Sequence, residues 1–372
     1  MIKFIHSSDL HLGKPFGRFP EDVRVQLRLA RTQVLGRLAA LARDHGASHI
    51  LLAGDTFDQT TPAPSVIRQA LNVMRAADHV TWVLMPGNHD HANATELWRQ
   101  IAQDAAPNVI LALTPVPIVL NADTALLAAP PTERHPGRDL TDWFDTAATP
   151  QALRIGLAHG SVTDFNSSED GASSVIAPDR AARAGLHYLG LGDWHGQLQI
   201  GPQTWYCGAP EADGFKHDKT PSALLVDIAG PNAPVKTTPL PTGTIHWRRV
   251  VLDVLGDHDC NAAHARILPP LDQRAQTLFD LVLTGSTGPA NRAALMTACE
   301  DAAPDFLWHR TDVSALGLDH DTADLDMIDR MGAMRTAAEN LAQEARDENL
   351  PAQTRQTAQA ALSILFSLAL DT

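Results

Sequence analysis

Five short segments of the chain concentrate residues that bind metal ions or transfer protons. They are Asp9-Leu10-His11, Gly54-Asp55, Gly87-Asn88-His89-Asp90, His159-Gly160 and Gly192-Asp193-Trp194-His195. Each segment follows a short apolar run that is typical of a buried strand. Because sites in open α/β sheets assemble beyond the carboxyl ends of strands, the five loops can converge on one point. Glycines beside these side chains allow the backbone to turn sharply and to approach an ion or a phosphate closely.

The residue types in these segments indicate metal chemistry. The candidate ligands are Asp9, His11, Asp55, Asn88, His159, Asp193 and His195. Carboxylates, an amide oxygen and imidazoles suit manganese, iron or zinc, and these segments contain no thiolate. A set of this size favours two ions over one, and Asp55, alone after its strand, is suited to bridge both. Paired ions can activate a water and stabilise the attacking and leaving oxygens of a phosphoryl transfer.

His89 is the candidate catalytic acid. It follows the candidate ligand Asn88, so its side chain would point in a different direction and could protonate the leaving oxygen. The alternative is a structural role, in which His89 makes a hydrogen bond that closes its loop. Asp58 and Asp90 stand near the motifs, and we interpret them as supporting or turn residues rather than ligands.

The elements that must position these loops are those of an α/β fold. Strands are predicted at residues 2–6, 48–53 and 80–85, and amphipathic helices over residues 22–43 and 65–76. This strand–helix rhythm indicates α/β units. Later apolar runs lie closer together and leave room for fewer helices, so the pattern predicts a more antiparallel second half.

A break in the pattern lies at residues 230–244, which contain Gly, Asn and four prolines and are typical of a linker or long turn. Beyond it, strands and helices of moderate length predict a small α/β lobe. Two helical segments, over residues 322–348 and 352–370, then predict a helical tail.

Charge is unevenly distributed along the chain. The sequence holds 43 acidic and 29 basic residues, a net charge of −14, which argues against a broadly basic surface for nucleic acid. Residues 1–249 contain 24 acidic and 21 basic residues, whereas residues 250–372 contain 19 and 8. Two bound divalent ions would make the first part slightly positive. The acidic second part, including Asp319, Asp321, Asp324 and Asp326, is predicted to face solvent or a basic partner.

Cysteine usage and hydropathy indicate the compartment. Cys207, Cys260 and Cys299 are far apart and form neither a disulfide framework nor a metal-binding pair, so we expect a reducing cytoplasm. The first residues predict a strand instead of a signal peptide, and no apolar run is long enough to span a membrane. The sequence therefore predicts a cytoplasmic protein without a membrane partner.

Taken together, the motifs DxH, GDxxD, GNHD, a later His-Gly and GxxH resemble those of the calcineurin-like metallophosphoesterases, over roughly residues 1–215. The resemblance implies a four-layer α/β/β/α sandwich. It also implies a first metal ion held by Asp9, His11, Asp55 and His195, and a second held by Asp55, Asn88, His159 and Asp193. His89 matches the catalytic histidine of the family. Manganese is the expected metal, with iron, magnesium or zinc as alternatives.

The amino-acid sequences of three segments are similar to those of the SbcD-type DNA repair exonucleases. These segments are residues 5–13, residues 54–58 and Tyr206-Cys207-Gly208-Ala209-Pro210. The resemblance implies a nuclease domain at residues 1–240, an α/β capping lobe at 245–320 and a helical tail at 321–372. It also implies a DNA substrate, hydrolysis by a metal-activated water, a homodimer and an SMC-like coiled-coil ATPase partner.

One position departs from the family pattern. The last motif is usually Gly-His-x-His, whereas this chain has Asp193 where the first of these histidines would stand. A third carboxylate makes the centre less positive, so it should raise the pKa of a bound water and change the metal preference. The alternative is that Asp193 only orients His195 or a water.

Two other functions fit the same motifs. The chain could be a small-molecule phosphodiesterase or a phosphoprotein phosphatase, because the motifs specify only phosphoryl chemistry. It could also be a non-catalytic scaffold that docks a partner, with Asp193 having abolished activity. The similarity of the three segments to the SbcD-type exonucleases and the additional lobe favour the nuclease.

Overall fold

The chain divides into two compact units. The computed structural model describes residues 1–162, 175–216, 220–255, 259–318, 332–347 and 349–370. The units are Met1–Ile245 and His246–Thr372.

The first unit alternates strands and helices along its first third and consists mainly of strands thereafter. Its strands are β1 (Ile2–Ser7), β2 (His49–Ala53), β3 (Thr81–Met85), β4 (Val109–Leu111), β5 (Pro117–Asn121), β6 (Thr124–Ala129), β7 (Leu153–His159), β8 (Ser161–Val162), β9 (Val175–Ile176), β10 (Tyr188–Gly192), β11 (Leu198–Gly201), β12 (Thr204–Tyr206), β13 (Ser222–Ile228) and β14 (Lys236–Pro241). Its helices are α1 (Glu21–His45), α2 (Pro64–Ala76), α3 (Thr95–Asp104), the short α4 (Arg180–Arg183) and a 3-10 turn at Asp142–Asp145.

Two six-stranded sheets form the centre of this unit. The first has the order β14-β13-β1-β2-β3-β4, and the second β11-β12-β10-β7-β6-β5. Successive side chains on a strand point to opposite faces, so Ile5 packs toward α1–α3 while Phe4 packs between the sheets. On the far face of the second sheet, Leu189 and Leu191 pack with Leu186. The predicted four-layer α/β/β/α sandwich is confirmed.

Helix α1 shows how the sequence builds a covering layer. Its buried residues recur at helical spacing, as in Val23, Leu27, Val34 and Leu38. The helix ends at Gly46, which adopts φ of 65° and donates its N–H to the last turn. This stop delivers the chain directly into β2, whose end carries Asp55.

The second sheet differs from the prediction of a more antiparallel arrangement. Strands β6, β7, β10 and β12 are parallel neighbours, and only β5 and β11, at the edges, run antiparallel. The prediction was wrong because it required a long helix for each parallel crossover. Here the described parts of the crossovers contain only the 3-10 turn Asp142–Asp145 and α4. These elements are too short to produce a helical spacing of apolar residues in the sequence.

The predicted linker at residues 230–244 contains a strand. Strand β14 pairs with β13 and lies at the edge of the first sheet. Its Pro239 and Pro241 are tolerated there because an edge strand has one side without ladder hydrogen bonds. The proline content that suggested a linker is therefore a signature of a sheet edge.

The second unit is built on a parallel sheet. Its elements are β15 (His246–Leu255), α5 (Cys260–Ile267), α6 (Leu271–Arg274), β16 (Thr277–Thr287), α7 (Pro289–Ala302), a 3-10 turn at Ala303–Asp305, β17 (Trp308–Leu318), α8 (Ala333–Arg346) and α9 (Ala352–Leu370). The sheet order is β15-β16-β17, and Phe279, Leu281 and Leu283 pack with Leu295 of α7. Helices α8 and α9 pack through Ala338, Ala342 and Leu362.

The acidic residues Asp319, Asp321, Asp324 and Asp326 lie outside the described residues. The assignment of residues 1–240, 245–320 and 321–372 to a nuclease domain, a capping lobe and a tail stays a prediction. Among the described helices, none combines the length and apolar character needed to cross a membrane.

Candidate metal centre

The seven predicted ligands lie at the carboxyl ends of five strands. Asp9 and His11 follow β1, Asp55 follows β2, and Asn88 follows β3. These three strands are neighbours in the first sheet. His159 ends β7, and Asp193 and His195 follow β10, which is the neighbour of β7 in the second sheet. Since both groups of strands end at the same place, the loops converge as predicted.

A first group of ligand atoms comes from Asp9, His11 and His195, whose donor atoms all lie within 4.8 Å of one another. His11 Nε2 lies 3.3 Å from His195 Nε2, and His195 Nε2 lies 3.8 Å from Asp9 Oδ1. Two imidazole nitrogens and a carboxylate oxygen at these separations could hold one divalent ion.

A second group comes from Asp9, Asp55 and His159, again within 4.8 Å. His159 Nε2 lies 3.8 Å from Asp193 Oδ1, and that oxygen accepts a hydrogen bond from Asn88 Nδ2 at 3.3 Å. Asp55 Oδ2 is 3.7 Å from His11 Nε2 and 3.6 Å from His159 Nε2. One carboxylate oxygen of Asp55, a member of the second group, is thus also close to His11 of the first group, and Asp9 belongs to both groups.

Two buried atoms at the second group fit a metal ion. His159 Nδ1 lies 2.8 Å from the carbonyl oxygen of Ala53, which only accepts, so Nδ1 carries the proton. His159 Nε2 is therefore the nitrogen available to an ion, and it is buried without a hydrogen-bond partner. Asn88 Oδ1 is likewise buried without a partner. Burying such atoms without a partner costs free energy of folding unless a bound group, such as a metal ion, interacts with them.

The backbone at the site adopts positive φ angles, which residues other than glycine rarely take. Four of the predicted ligands have positive φ: Asp9 at 57°, His11 at 44°, Asp55 at 52° and Asp193 at 94°. Each such residue stores strain of about 1–3 kcal/mol, which persists only where surrounding contacts enforce it. The positions where the chain bends back are thus the positions that aim the ligands.

Two glycines make room for these ligands. A Cβ atom on Gly87 would lie 2.0 Å from Asp55 Oδ1, and one on Gly54 would lie 2.3 Å from His159 Nδ1. Gly54 also has φ of 93°. Any side chain at either position would displace a ligand, so both glycines are needed for close packing around the centre.

Burial and like charge shape the electrostatics of the metal-free centre. Burial raises the pKa of Asp55, and the neighbouring Asp9 and Asp193 raise it further. Burial alone would lower the pKa of His159, but Asp55, Asp9 and Asp193 raise it to about 9. Protons on Asp55 and His159 therefore offset part of the negative charge when no ion is bound. A divalent ion would take the place of these protons.

His89 lies beside the first group. Its Nδ1–H donates to the carbonyl oxygen of Asp58 at 2.8 Å, and its main-chain N–H donates to Asp55 Oδ1 at 2.9 Å. The His89 ring meets that of His11 edge to face, with centroids 4.9 Å apart. The loop-closing hydrogen bond that the sequence left as an alternative is present. It uses only Nδ1, so Nε2 stays available for proton transfer.

The two acidic residues near the motifs have supporting contacts. Asp90 accepts hydrogen bonds from the main-chain N–H groups of Phe57 and Gly87, at 3.0 and 2.6 Å, and so links the loops after β2 and β3. Asp58 Oδ1 lies 3.3 Å from His11 Nδ1. The contacts of Asp90 agree with a supporting role, whereas Asp58 also lies with His11 and His89 in a third group of possible ligand atoms, all within 4.8 Å of one another.

Sequence reasoning missed Asp213, which contacts His195. Asp213 Oδ1 lies 3.1 Å from His195 Nδ1, and Asp213 Oδ2 accepts a hydrogen bond from Lys14 Nζ at 2.6 Å. Burial would raise the pKa of Asp213, but His195, Arg31 and Lys14 hold it well below its usual range. In the sequence, Asp213-Gly214 is typical of a turn, so no local signal distinguishes it.

Comparisons with known proteins agree with this geometry. The family model of the calcineurin-like phosphoesterases matches residues 2–185. The chain is 23% identical over 268 residues to the uncharacterized metallophosphoesterase YhaO of Bacillus subtilis (strain 168), covering 68% of this chain and 63% of that protein. It is 27% identical over 154 residues to a subunit of nuclease SbcCD from the same organism, covering 39% of this chain and 38% of that protein.

The chain therefore spans less than two thirds of the length of either relative. A solved structure described as GAP50, the anchor in the inner membrane complex of Plasmodium, aligns at a TM-score of 0.40 and 10% identity, covering 65% of this chain and 84% of that one. A likeness at that level supports no conclusion. The family match does: residues 2–185 form a calcineurin-like phosphoesterase domain, and membership of that family implies metal-dependent hydrolysis of phosphoesters.

Proposed function

We propose that this phosphoesterase domain hydrolyses phosphodiester bonds in DNA with two divalent ions. The observation that carries the proposal is the position of Asp55 Oδ2, at 3.7 Å from His11 Nε2 and 3.6 Å from His159 Nε2. The choice of DNA is supported by the likeness to the nuclease SbcCD protein and by the wording of the motifs.

Two sets of residues would hold the ions. Asp9, His11, Asp55 and His195 would hold the first, and Asp55, Asn88, His159 and Asp193 the second. The bound ions would lower the pKa of a water and offset the charge on the phosphoryl oxygens. We propose manganese as the metal.

His89 would supply a proton to the leaving oxygen. The carbonyl oxygen of Asp58 fixes the proton on Nδ1, so the second proton of a protonated ring is on Nε2. Because the main-chain N–H of His89 donates to Asp55, the ring position is tied to the bridging carboxylate. Proton donation from a side chain held this way contributes roughly a hundredfold to ten-thousandfold to the rate.

The substrate is tested by comparing linear DNA with a cyclic nucleotide, each with Mn²⁺ and with a chelator. We expect the full chain to cleave the DNA only when the metal is present. Cleavage of the cyclic nucleotide alone would instead indicate a small-molecule phosphodiesterase. Absence of cleavage with Mn²⁺, Fe²⁺, Mg²⁺ or Zn²⁺ would favour the non-catalytic scaffold.

The role of His89 is tested by His89→Ala. We expect DNA cleavage to fall by about a hundredfold or more because the proton donor is lost. Metal content, measured by mass spectrometry, should remain that of the parent because His89 is not among the proposed ligands. His45→Ala is a control, since His45 is an exposed residue in the last turn of α1. Equal cleavage by His89→Ala and the parent would refute the catalytic role.

Asp193 would bind the second ion and change the metal preference. Its carboxylate lies beside His159 and Asn88, at 3.8 and 3.3 Å. With Asp9 and Asp55 it gives three ligand carboxylates, which make the centre less positive than two would. Anomalous scattering from crystals grown with manganese should show two ions. A single ion in those crystals would contradict a ligand role for Asp193.

We further propose a homodimer, an SMC-like coiled-coil ATPase partner and a cytoplasmic location. The relative named as a nuclease is described as a subunit, which supports the search for a partner chain. Light scattering coupled to gel filtration would measure the mass of the full chain in solution. Co-expression with a long coiled-coil ATPase encoded beside this gene would test the partner by co-purification.

A further inference from the structure

The two proposed ion positions differ in what holds their histidines. At the second position, the carbonyl oxygen of Ala53 accepts a hydrogen bond from His159 Nδ1–H at 2.8 Å. This carbonyl group belongs to the last residue of β2. At the first position, the side chain of Asp213 lies 3.1 Å from His195 Nδ1. The sheet thus fixes His159, while His195 depends on a side chain from a separate loop.

Asp213 forms ion pairs with two basic side chains, Lys14 and Arg31. Lys14 Nζ donates to Asp213 Oδ2 at 2.6 Å, and the Arg31 guanidinium lies 3.8 Å from the same oxygen. Only about 15% of the Asp213 side chain is exposed, and Arg31 is buried. These ion pairs keep one carboxylate oxygen occupied, so the other is directed at His195.

Arg31 connects this support to the loop that carries the other ligands of the first position. Its guanidinium donates to the carbonyl oxygens of Leu10 at 2.6 Å and Glu211 at 3.3 Å. Leu10 stands between Asp9 and His11, and Glu211 stands two residues before Asp213. One buried side chain of α1 therefore ties the loop after β1 to the loop that supports His195.

We propose that Asp213 is a positioning residue that keeps His195 in the Nδ1–H form, with Nε2 presented to the first ion. This inference rests on the metal-binding part of the proposed function and assigns a role to a residue outside the motifs. A carboxylate can only accept from Nδ1–H, so it selects the tautomer whose Nε2 has a lone pair for a metal. Asparagine could instead donate to Nδ1 and stabilise the tautomer that carries its proton on Nε2.

The inference is tested by titrating metal-free full-length protein with Mn²⁺ in a calorimeter. For Asp213→Asn we expect one of two binding events to weaken by about 10- to 100-fold, as is typical when the partner of a ligating histidine is removed. The other event should stay within about threefold of the parent value. Asp193→Asn should weaken the other event. Asp227→Asn is the matched control, because Asp227 lies on β13 and pairs with Lys3, at 3.6 Å, in a surface ion pair.

A second variant keeps the inference testable if Asp213→Asn does not fold. Lys14→Met leaves Asp213 in place but removes its shortest ion pair, so the same binding event should weaken by a smaller factor. The visible absorption of the Co²⁺-loaded protein gives an independent measurement. Its bands should change in Asp213→Asn and not in Asp227→Asn, because only the former alters an imidazole ligand.

The outcomes separate the inference from the proposed function. Parent affinity for both ions in Asp213→Asn and in Lys14→Met would overturn the inference even if the parent cleaves DNA. Selective loss of one ion, in preparations that cleave no DNA, would support the inference and overturn the nuclease proposal. Absence of Mn²⁺ binding by the parent would overturn both.

Discussion

The buried Asp280 of the second unit and the buried His159 of the first unit have different surroundings. In the second unit, the buried Asp280 accepts hydrogen bonds from Arg310 Nε and Nη2 at 2.8 and 2.9 Å, and Arg249 Nε lies 3.7 Å away. In the first unit, His159 is buried beside Asp55, and its Nε2 has no hydrogen-bond partner. The Asp280 carboxylate is thus satisfied by protein partners, whereas a metal ion could satisfy His159 Nε2, which stands among other candidate ligands.

The backbone shows the same contrast. Among the described residues, every non-glycine residue with positive φ lies in the first unit. These residues are Asp9, His11, Phe16, Asp55 and Asp193. Strain of this kind is retained where function requires a particular side-chain direction. In the described part of the second unit, the residues with positive φ are Gly285 and Gly332, and the buried Asp280 is paired.

The largest expected change in metal content and cleavage is that of Asp55→Asn, and it tests the difference between the two units. This variant removes the charge at the bridging position, so we expect metal content to fall and cleavage to drop by roughly a thousandfold or more. Mass spectrometry of the purified protein and a cleavage assay measure the two effects. If Asp55→Asn retained two ions and the parent rate, the unpaired ligand atoms would need another explanation.

A smaller effect is expected from Asp280→Ala in the second unit. Removing this carboxylate leaves the Arg310 guanidinium without its two charge-assisted hydrogen bonds, so stability should fall by about 1–3 kcal/mol. Chemical denaturation measures this change. The content of metal ions should stay at the parent level. Loss of an ion in Asp280→Ala would mean that the second unit contributes directly to the metal centre.

Short local patterns in the sequence predicted most of the candidate site. The seven candidate ligands and His89 stand in motifs of two to four residues beside strand ends, where type and order can be read directly. The positive φ values at Asp9, His11 and Asp55 could not be predicted, because aspartate and histidine rarely adopt them without tertiary constraint. Asp213 could not be found either, since its contact with His195 depends on the ion pair with Lys14, far away in sequence.

The fold shows a similar division. The three strands and two helices predicted in the first 85 residues follow clear hydrophobic periods and lie at the predicted places, whereas α3 and β4 were not predicted. The parallel second sheet was mispredicted because its crossovers contain short turns instead of long helices. Strand β17 was missed because polar residues such as His309, Arg310 and Asp312 occupy much of it. Where pairing is long-range, composition alone does not specify the register or direction of a strand.

The smallest effect concerns pH, and it sharpens the contrast between the units in metal-free protein. The pKa of His159 is raised to about 9, so its ion pairs contribute stability that is complete below the unfolded value of 6.5 and is lost as pH rises through 9. Burial lowers the pKa of His264 and His309 in the second unit, so their contribution is lost only as pH falls below 6.5. Only the first unit should weaken between pH 6.5 and 9.

We expect the melting temperature of the first unit to fall by a few degrees across this range when a chelator is present. Saturating Mn²⁺ should remove the decrease, because an ion bound at His159 replaces the proton. Calorimetric scans at several pH values measure both effects. His159→Gln is the informative variant, since its amide can still donate to the Ala53 carbonyl oxygen but does not titrate. An unchanged pH dependence in that variant would show that the decrease arises elsewhere.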